Sequence, residues 1–332
     1  MSIGTKKLLT LLLTAVLLAA MVLPTSALGE QVYAGGTAFG IKFFTKGALV
    51  VGITAVETAS GLVSPAADAG IKSGDIITAV NGSEVISSDG FLRLISDNGN
   101  HVMMLDVTRG DDGFKAEITP AIDLESGTAR LGMYVRDSAA GIGTVTYVLA
   151  DGTFAGLGHG ICDSETDTLL PLADGTVVDV TVTGVIKGKR NSPGELQGVF
   201  GNTRKGRLFA NTDTGVYGGY YRFPAGIGEA TTTAHAKVGK AQILTTLGSD
   251  GVQSYDIEIQ ELDSGSNTKN LVLHVTDKKL IERAGGIVQG MSGSPIIQDG
   301  KLVGAVTHVL VGDPTRGYGI FIENMLSNDP SR

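Results

Sequence analysis

Apolar residues fall in short runs along most of this chain, and glycine-containing turns separate the runs. Near the C-terminus, residues 296–306 predict a strand, an Asp-Gly turn and a second strand. A short helix is predicted within residues 275–286, where Leu280, Ile281 and Ala284 share one face and Gly285-Gly286 ends the helix. Further strand-like runs cover residues 48–56, 76–80, 102–109 and 271–275. The pattern therefore predicts a mostly β protein.

The N-terminus carries a different pattern, a single long apolar run. Lys6 and Lys7 precede the run over residues 8–23, and Pro24 ends it, followed by small residues that suit signal peptidase. A helix of this length spans about 24 Å, which is short for a hydrocarbon core of about 30 Å. We interpret residues 1–27 as an export signal, with an uncleaved membrane anchor as the alternative. In both cases we expect the remaining chain to lie outside the cytoplasm.

Composition and charge narrow the function classes. The 332 residues include 48 glycines and no tryptophan, which favours short strands and turns over long helices. The net charge of −8 disfavours nucleic acid as a partner. Cys162 is the single cysteine, so an internal disulfide is excluded, and we rank its thiol below a serine as a nucleophile. No familiar metal-binding spacing occurs, so we predict no metal and no cofactor.

The strongest candidate for chemistry is the segment Gly290-Met291-Ser292-Gly293-Ser294-Pro295. A serine between glycines is how trypsin-like proteases present their nucleophile, because glycine permits the sharp turn that exposes the hydroxyl. The N–H groups of Gly290 and Ser292 would form the oxyanion hole. We prefer Ser292 to Ser294, which Pro295 follows directly. The alternative is an ordinary hairpin loop.

A serine nucleophile needs a base, and histidine is the usual one near neutral pH. His159 lies between Gly158 and Gly160, which permit a tight backbone and an exposed imidazole. The alternative is a turn histidine that bonds its own backbone. Residues 307–309, which are Thr307, His308 and Val309, follow the serine and are predicted to line the substrate cleft. The remaining histidines are His101, His235 and His274.

The carboxylate that would orient the imidazole is not fixed by the sequence alone. Asp163 and Asp167 follow His159 closely, whereas Asp277 begins the predicted helix and is well placed to be a plain N-cap. Further candidates are Asp256 and Asp263. Local patterns leave Asp277 and Asp163 as open alternatives.

Residues 36–121 resemble a PDZ domain. Phe39, Gly40 and Ile41 resemble the glycine-containing loop that holds a peptide's C-terminal carboxylate with backbone N–H groups. Residues 64–77 resemble the "SPA…AGI…GDII" stretch of bacterial protease-associated PDZ domains, and residues 89–95 suit the second helix. The resemblance implies a peptide-binding groove, and the alternative is a PDZ fold without an open groove.

Nearly the whole chain from residue 36 resembles the stage IV sporulation protein B (SpoIVB) peptidases. The similarity is carried by Gly158-His159-Gly160, by Asp277 and by the run from Gly285 through Gly319. It implies a triad of His159, Asp277 and Ser292, and a PDZ domain followed by a chymotrypsin-like double β-barrel. The implied organisation is a signal or anchor at 1–27, a linker and self-cleavage region at 28–35, PDZ at 36–121 and peptidase at 122–332.

The resemblance also implies a role. Members of this family act between the two membranes around a developing forespore. There they cleave a membrane-bound regulator, and so activate an intramembrane protease that processes a late sigma factor. We therefore expect an exported serine endopeptidase close to a membrane, with a protein substrate, a peptide tail at the PDZ groove and self-cleavage near its N-terminus. The alternatives are an envelope quality-control protease and a non-catalytic PDZ scaffold.

Overall fold

The computed structural model describes residues 28–164 and 166–332. The predicted signal segment, residues 1–27, lies outside the described residues. Within the described residues, no helix is long and apolar enough to cross a membrane. The strands are β1 (Gln31–Ala34), β2 (Ala38–Ile53), β3 (Val56–Thr58), β4 (Gly61–Val63), β5 (Ile76–Val80), β6 (Ser83–Glu84), β7 (Met103–Arg109), β8 (Asp112–Ile118), β9 (Ala121–Ile122), β10 (Ala129–Arg130), β11 (Met133–Val148), β12 (Thr153–Gly156), β13 (Leu172–Ile186), β14 (Glu195–Thr212), β15 (Gly215–Tyr220), β16 (Ala230–Thr232), β17 (Gly239–Thr246), β18 (Val252–Leu262), β19 (Leu271–Val275), β20 (Pro295–Gln298), β21 (Lys301–Leu310) and β22 (Asp313–Phe321). The helices are α1 (Pro65–Asp68), α2 (Ser88–Asn98), α3 (Lys278–Ala284) and α4 (Ile322–Ser327).

The first of two barrels is formed by β2, β11, β12, β15, β14 and β13, in that order around the ring. β2 pairs with both β11 and β13, and this double pairing closes the ring. Along β2, the buried Phe39, Ile41 and Phe43 alternate with the exposed Lys42 and Phe44, as the two-residue period of a strand requires. The buried side chains fill the barrel interior together with those of the opposite strands.

The second barrel is formed by β17, β18, β19, β22, β21 and β20, again in ring order. Its interior is packed with aliphatic side chains such as Ile243, Ile257, Leu273 and Val306. Both barrels have the same strand order. The first three strands in the chain are neighbours in the ring, and the last three follow them in reverse chain order. The predicted mostly β fold with a double β-barrel is confirmed.

The PDZ unit is inserted into the first barrel instead of preceding it. β2 pairs with β13 in the barrel as far as Thr45 and with β5 of the PDZ unit at Ala48 and Leu49. The chain returns through β11, which pairs with the PDZ half of β2 at Met133 and with its barrel half from Ser138 onward. Two long strands therefore belong to both units. The expected boundaries at residues 36 and 122 are wrong, because the barrel begins before the PDZ unit and resumes within β11.

The predicted peptide-binding loop of the PDZ unit is also wrong. Phe39, Gly40 and Ile41 lie inside the first barrel, where Phe39 and Ile41 are only 2% and 3% exposed. Their backbone is paired on one side with β11 and on the other with β13, so their N–H groups are not available to a peptide carboxylate. Gly40 lies within an apolar strand, and this sequence resembles the glycine-containing loop of a PDZ domain.

The groove that the PDZ unit does possess lies elsewhere. It is a cavity of about 560 Å³ between α2 and residues 131–135, and Phe91 and Ile95 of the helix form part of its wall. Gly132 has a φ of +74°, and the carbonyl of Thr54 lies so close that a side chain at this position would collide with it. The segment Leu131-Gly132-Met133 therefore has the glycine turn and the following strand that were predicted at residues 39–41.

The segment expected to be a linker, residues 28–35, is largely a strand. β1 pairs with β11 on one side and with β16 on the other. Val32 in its centre is fully buried. A protease can cut this segment only after the strand leaves the sheet.

Candidate active site

The loop that carries Ser292 lies between α3 and β20, and the first barrel holds it in place. Thr144 of β11 donates its N–H to the Ser292 carbonyl (2.9 Å) and its hydroxyl to the Gly290 carbonyl (2.9 Å). The Thr146 hydroxyl donates to the Gly293 carbonyl (2.8 Å). Gly290 and Gly293 have φ values of +95° and +93°, and a side chain at Gly293 would collide with the Thr144 carbonyl. Glycine is therefore required on both sides of the serine.

Two backbone N–H groups of this loop, those of Gly290 and of Ser292 itself, lie next to the nucleophile candidate in the chain. The Gln289 carbonyl accepts from the Leu196 N–H (2.9 Å), so the Gly290 N–H, on the opposite side of the same planar peptide, points away from Leu196. The Met291 carbonyl likewise accepts from Ser294 (2.9 Å), which fixes the peptide that carries the Ser292 N–H. Among the residues that the structure describes, neither N–H has a protein acceptor. Both donors are available to an oxyanion.

The hydroxyl of Ser292 is reachable, whereas that of Ser294 is not. Ser292 Oγ donates to the Thr307 carbonyl at 2.6 Å and lines a cavity of about 460 Å³. Ser294 is 0% exposed, and its hydroxyl has no partner in the described residues. A substrate in the cavity can contact only the first of the two serines.

His159 lines the same cavity as Ser292, after a tight turn in which Leu157 and Gly158 have φ values of +67° and +69°. Its Nδ1 hydrogen-bonds the Gly160 carbonyl at 2.8 Å. A carbonyl can only accept, so the Nδ1 atom carries the proton and Nε2 is left with its lone pair. Burial lowers the pKa of His159 below 6.5, which keeps the imidazole neutral at pH 7. This is the tautomer that a general base needs.

A second imidazole lies beside the first. The rings of His159 and His308 are 4.8 Å apart between centroids and inclined by 34°. Burial, and secondarily the neighbouring His159, lowers the pKa of His308 to about 4. Thr307, His308 and Val309 line the cavity with Ser292. Val306 still exchanges backbone hydrogen bonds with Gly293 and Ser294, and beyond it β21 pairs only with β22. The other edge of residues 307–309 is therefore open to an extended peptide.

The structure does not bring Asp277 to His159. Asp277 is the N-cap of α3, and its Oδ1 accepts from the N–H groups of Lys279 (2.8 Å) and Leu280 (3.0 Å). Asp277 lies just after the C-terminal end of β19, whereas Lys269 lies just before its N-terminal end. Lys269 lines a cavity with His159. The five residues of β19 alone separate these ends by about 16 Å. The predicted pairing of Asp277 with His159 is therefore absent from this structure, in which the Asp277 carboxylate caps a helix.

Asp163 and Cys162, the other candidates near His159, each have a local environment that disfavours a catalytic role. Asp163 is buried, and its Oδ2 accepts from Arg136 Nη1 at 3.0 Å. Desolvation, with the nearby Asp167 and Asp213, raises the pKa of the Cys162 thiol. A raised pKa disfavours the thiolate, the reactive form. Within the described residues, no cluster of three or more His, Cys, Asp or Glu side chains could hold a metal ion.

Two features of the site were missed by the sequence analysis. Thr144 clamps the nucleophile loop from a distance of 146 residues along the chain, and no local pattern predicts such a contact. Asp213 lines a cavity with His159, and in the sequence it shows only as part of the polar turn Thr212-Asp213-Thr214-Gly215.

Two family models match the chain. The family model "SpoIVB peptidase S55" matches residues 127–326, and a PDZ domain model matches residues 59–109. A PDZ domain of an SdrC-like protein from Listeria monocytogenes is similar at 27% identity, covering 27% of this chain and 87% of that chain, with a TM-score of 0.22. No curated protein matches the chain.

Solved structures of the Rv3671c protease from M. tuberculosis also match. The inactive form is 15% identical, covers 56% of this chain and 81% of that chain, and has a TM-score of 0.32. The active form is 14% identical, covers 57% and 72%, and has a TM-score of 0.34.

Proposed function

Because the chain belongs to the SpoIVB peptidase S55 family, we propose that this PDZ-containing serine protease is an endopeptidase with Ser292 as nucleophile and His159 as general base. One observation carries the proposal. A reachable serine and a neutral histidine line one cavity, and two unbonded backbone N–H groups lie beside the serine. This arrangement has the parts that acyl transfer requires.

The hydrogen bond between Ser292 and the Thr307 carbonyl suggests how substrate starts the reaction. A peptide that pairs with the free edge of β21 would bring a backbone N–H to the Thr307 carbonyl, which now accepts from Ser292 Oγ at 2.6 Å. Losing that acceptor, the hydroxyl turns to His159 Nε2. Substrate binding and activation of the nucleophile are then one event.

The chemical steps follow from that position. His159 Nε2 takes the hydroxyl proton while Ser292 Oγ attacks the scissile carbonyl, and the N–H groups of Gly290 and Ser292 stabilise the oxyanion. The imidazolium then donates its proton to the leaving amine, which releases the first product and leaves an acyl-enzyme. Water, deprotonated by His159, hydrolyses the ester and restores Ser292.

The biological role that we propose is signalling during sporulation. The protease would cleave a membrane-bound regulator in the space between the forespore and mother-cell membranes, and so activate an intramembrane protease. Family membership and the predicted export segment at residues 1–27 support this proposal. The groove between α2 and residues 131–135 would hold the tail of a protein partner.

Self-cleavage near the N-terminus would fall within or beside β1. Since β1 is paired on both sides, we propose that one molecule cuts another whose β1 is detached. Full-length Ser292→Ala protein, incubated with wild-type enzyme, should be shortened at residues 28–36, whereas Ser292→Ala protein alone should stay intact. Ser294→Ala enzyme serves as the matched control and should cut like wild type. Shortening of purified Ser292→Ala protein without added enzyme would contradict the proposal.

The same proteins separate the two alternatives. Broad digestion of casein-like unfolded substrates by wild type, and not by Ser292→Ala, would indicate a quality-control protease. A folded wild-type protein that cuts neither itself nor any substrate would indicate a PDZ scaffold.

A further inference from the structure

A second cavity, of about 410 Å³, adjoins the cavity that Ser292 lines. The two are neighbours, because the side chains of Ile142 and Leu157 line both of them. All residues that line the second cavity belong to β2, to β11 or to the segment between β12 and β13 that carries His159. We call it the first-barrel cavity. It extends from the catalytic cavity away from β21.

A missing side chain creates this cavity. Ala139 packs against the core of the first barrel, and a Cβ atom at Gly143 would collide with Leu157, so both positions face the barrel interior. Gly141 lies between them on a stretch of β11 that pairs with β2 without a bulge, and it therefore faces the same way. A Cβ atom at Gly141 would have no other atom within 4 Å. The place of its side chain is empty.

The walls around this empty place are apolar. Ile41 and Phe43 of β2 are directly opposite Gly141 and Ala139, and both side chains are buried. Leu170, from the segment that follows His159, is buried as well and lines the same cavity. An apolar cavity of about 150 Å³ is enough to hold a benzene ring. The first-barrel cavity therefore has room for one large aliphatic or aromatic side chain.

The charged groups that line the cavity neutralise each other. They are Arg136 and Asp163, whose Nη1 and Oδ2 atoms are 3.0 Å apart. The other carboxylate oxygen of Asp163 accepts from the Thr166 N–H. A charged substrate group would lose its hydration in this cavity without meeting an unbalanced opposite charge. The cavity therefore favours an uncharged, apolar side chain.

The position of His159 indicates which part of a substrate comes close to this cavity. In the proposed reaction His159 donates a proton to the leaving amine, so the segment after the scissile bond must emerge on the side of His159. His159 belongs to the first barrel, whereas residues 307–309, the edge open to an extended peptide, belong to the second. The segment after the scissile bond, here called the leaving segment, would therefore follow the first barrel.

We propose that the first-barrel cavity binds an apolar side chain of the leaving segment, from one of the first two residues after the scissile bond, and that the missing side chain of Gly141 makes the room for it. The inference rests on the proposed function of Ser292 and His159. The preferred substrates are then protein segments with a large aliphatic or aromatic residue just after the bond that is cut.

The test uses the acetyl-enzyme that p-nitrophenyl acetate should form on Ser292 of the full-length protein, with release of p-nitrophenolate. Water converts the acetyl-enzyme to acetate. An added dipeptide amide instead attacks the ester with its amino group, which gives its proton to His159, and leaves as the N-acetyl dipeptide amide. This step is the reverse of acylation, so the attacking amine occupies the place of the leaving segment. The probes are the amides of glycylglycine, leucylglycine and glycylleucine, and the ratio of N-acetyl product to acetate is measured.

At equal concentration, one of the two leucine-containing amides should give a ratio about 10- to 100-fold above that of glycylglycine amide, because its side chain is buried. Gly141→Val fills the empty place and should abolish this preference, and Gly141→Ala should reduce it. Both variants should fold, since no atom obstructs the new side chain and valine suits a strand. Gly113→Val in β8, where a Cβ atom also meets open space, is the matched control and should keep the preference.

Equal ratios for the three amides in wild type, or a leucine preference that survives in folded Gly141→Val, would overturn the inference. NMR spectra of Ser292→Ala protein, titrated with the same amides, need no activity and separate the two claims. Shifts of the Ala139 and Gly141 amide signals with a leucine-containing amide alone support the cavity, even if wild type forms no acetyl-enzyme and the proposed function fails. Unshifted signals, in a protein whose wild type does form the acetyl-enzyme, remove the cavity and leave the proposed function standing.

Discussion

At the scale of single residues, the site is held at rest by two backbone carbonyls. The Thr307 carbonyl accepts from Ser292 Oγ, and the Gly160 carbonyl accepts from His159 Nδ1. The Thr307 carbonyl lies at the strand edge where a peptide would pair. The Gly160 carbonyl selects the tautomer of His159 in which Nε2 is free to accept a proton. In this structure Ser292 and His159 are therefore not hydrogen-bonded to each other.

The ionisation of His159 predicts a pH dependence. A general base acts only when it is neutral, and burial lowers the pKa of His159 below 6.5. The second-order rate of fluorophosphonate labelling at low probe, which reports the free enzyme, should be level at pH 7–8. It should fall as the pH drops through a midpoint below 6.5.

His308 should not produce this midpoint, because its pKa of about 4 keeps it neutral there. The His308→Gln protein is the control and should retain the midpoint. Loss of the midpoint in that variant would assign the ionisation to His308 and contradict the account.

At the scale of elements, β11 connects three functions. Its first residues form one wall of the PDZ groove, its middle pairs with β2 in the barrel, and Thr144 and Thr146 hold the loop of Ser292. A single strand therefore links the groove to the loop of Ser292.

Replacing one clamp on the nucleophile loop tests this link. Thr144→Val removes the hydroxyl that binds the Gly290 carbonyl, so we expect the Gly290 N–H to lose its fixed direction. The labelling rate should fall about 10-fold, less than the 10²–10³ that accompanies complete loss of an oxyanion donor. Thr146→Val is the matched control, because it frees Gly293, which is not a donor to the oxyanion. An equal fall in both variants would mean general loosening of the loop and would contradict the specific role of Thr144.

The N-cap of α3 yields a second prediction at this scale. Asp277→Asn should keep both stability and labelling, because asparagine caps a helix as well as aspartate does. Asp277→Ala should lower the free energy of unfolding by about 1 kcal/mol and still be labelled. Thermal melting and labelling of both variants check this. A large loss of labelling in a folded Asp277→Asn protein would restore the pairing with His159 that the family resemblance implied.

The sequence predicted those parts of the site that are local. Gly290 and Gly293 around Ser292, and Gly158 before His159, have positive φ, and this need for glycine is visible in the sequence. The carboxylate was not predictable, because whether Asp277 or Asp163 lies beside His159 depends on strands that are distant in sequence. The misplaced PDZ loop has the same origin, since Phe39–Ile41 and Leu131–Met133 both combine apolar residues with glycine, and only strand pairing distinguishes them.

At the scale of the whole molecule, the protein is a double barrel with a PDZ unit inserted between the first and second strands of the first barrel. The insertion leaves and returns at one place, since Phe44 of β2 is directly opposite Ser138 of β11. Few barrel core residues lie within the insertion, notably Leu49 and Ile76. The catalytic barrels should therefore be able to fold without it.

Excision of the insertion tests this architecture. Replacing residues 46–136 by Asn-Gly would join Thr45 to Asp137 through a two-residue hairpin of the type that suits the strand twist. The shortened protein should keep its β-type circular dichroism and its Ser292 labelling, with a lower melting temperature because Leu49 and Ile76 are lost. A shortened protein that does not fold would show that the PDZ unit is an integral part of the first barrel.

The central claim is that Ser292 is the nucleophile of a serine peptidase, and covalent labelling tests it most directly. Purified protein would be treated with a fluorophosphonate, and the modified residue located by mass spectrometry. The account predicts a single adduct on Ser292, which is lost in Ser292→Ala and retained in Ser294→Ala, because the Ser294 hydroxyl is buried. A folded wild-type protein without an adduct, or an adduct that persists in Ser292→Ala, would contradict the account.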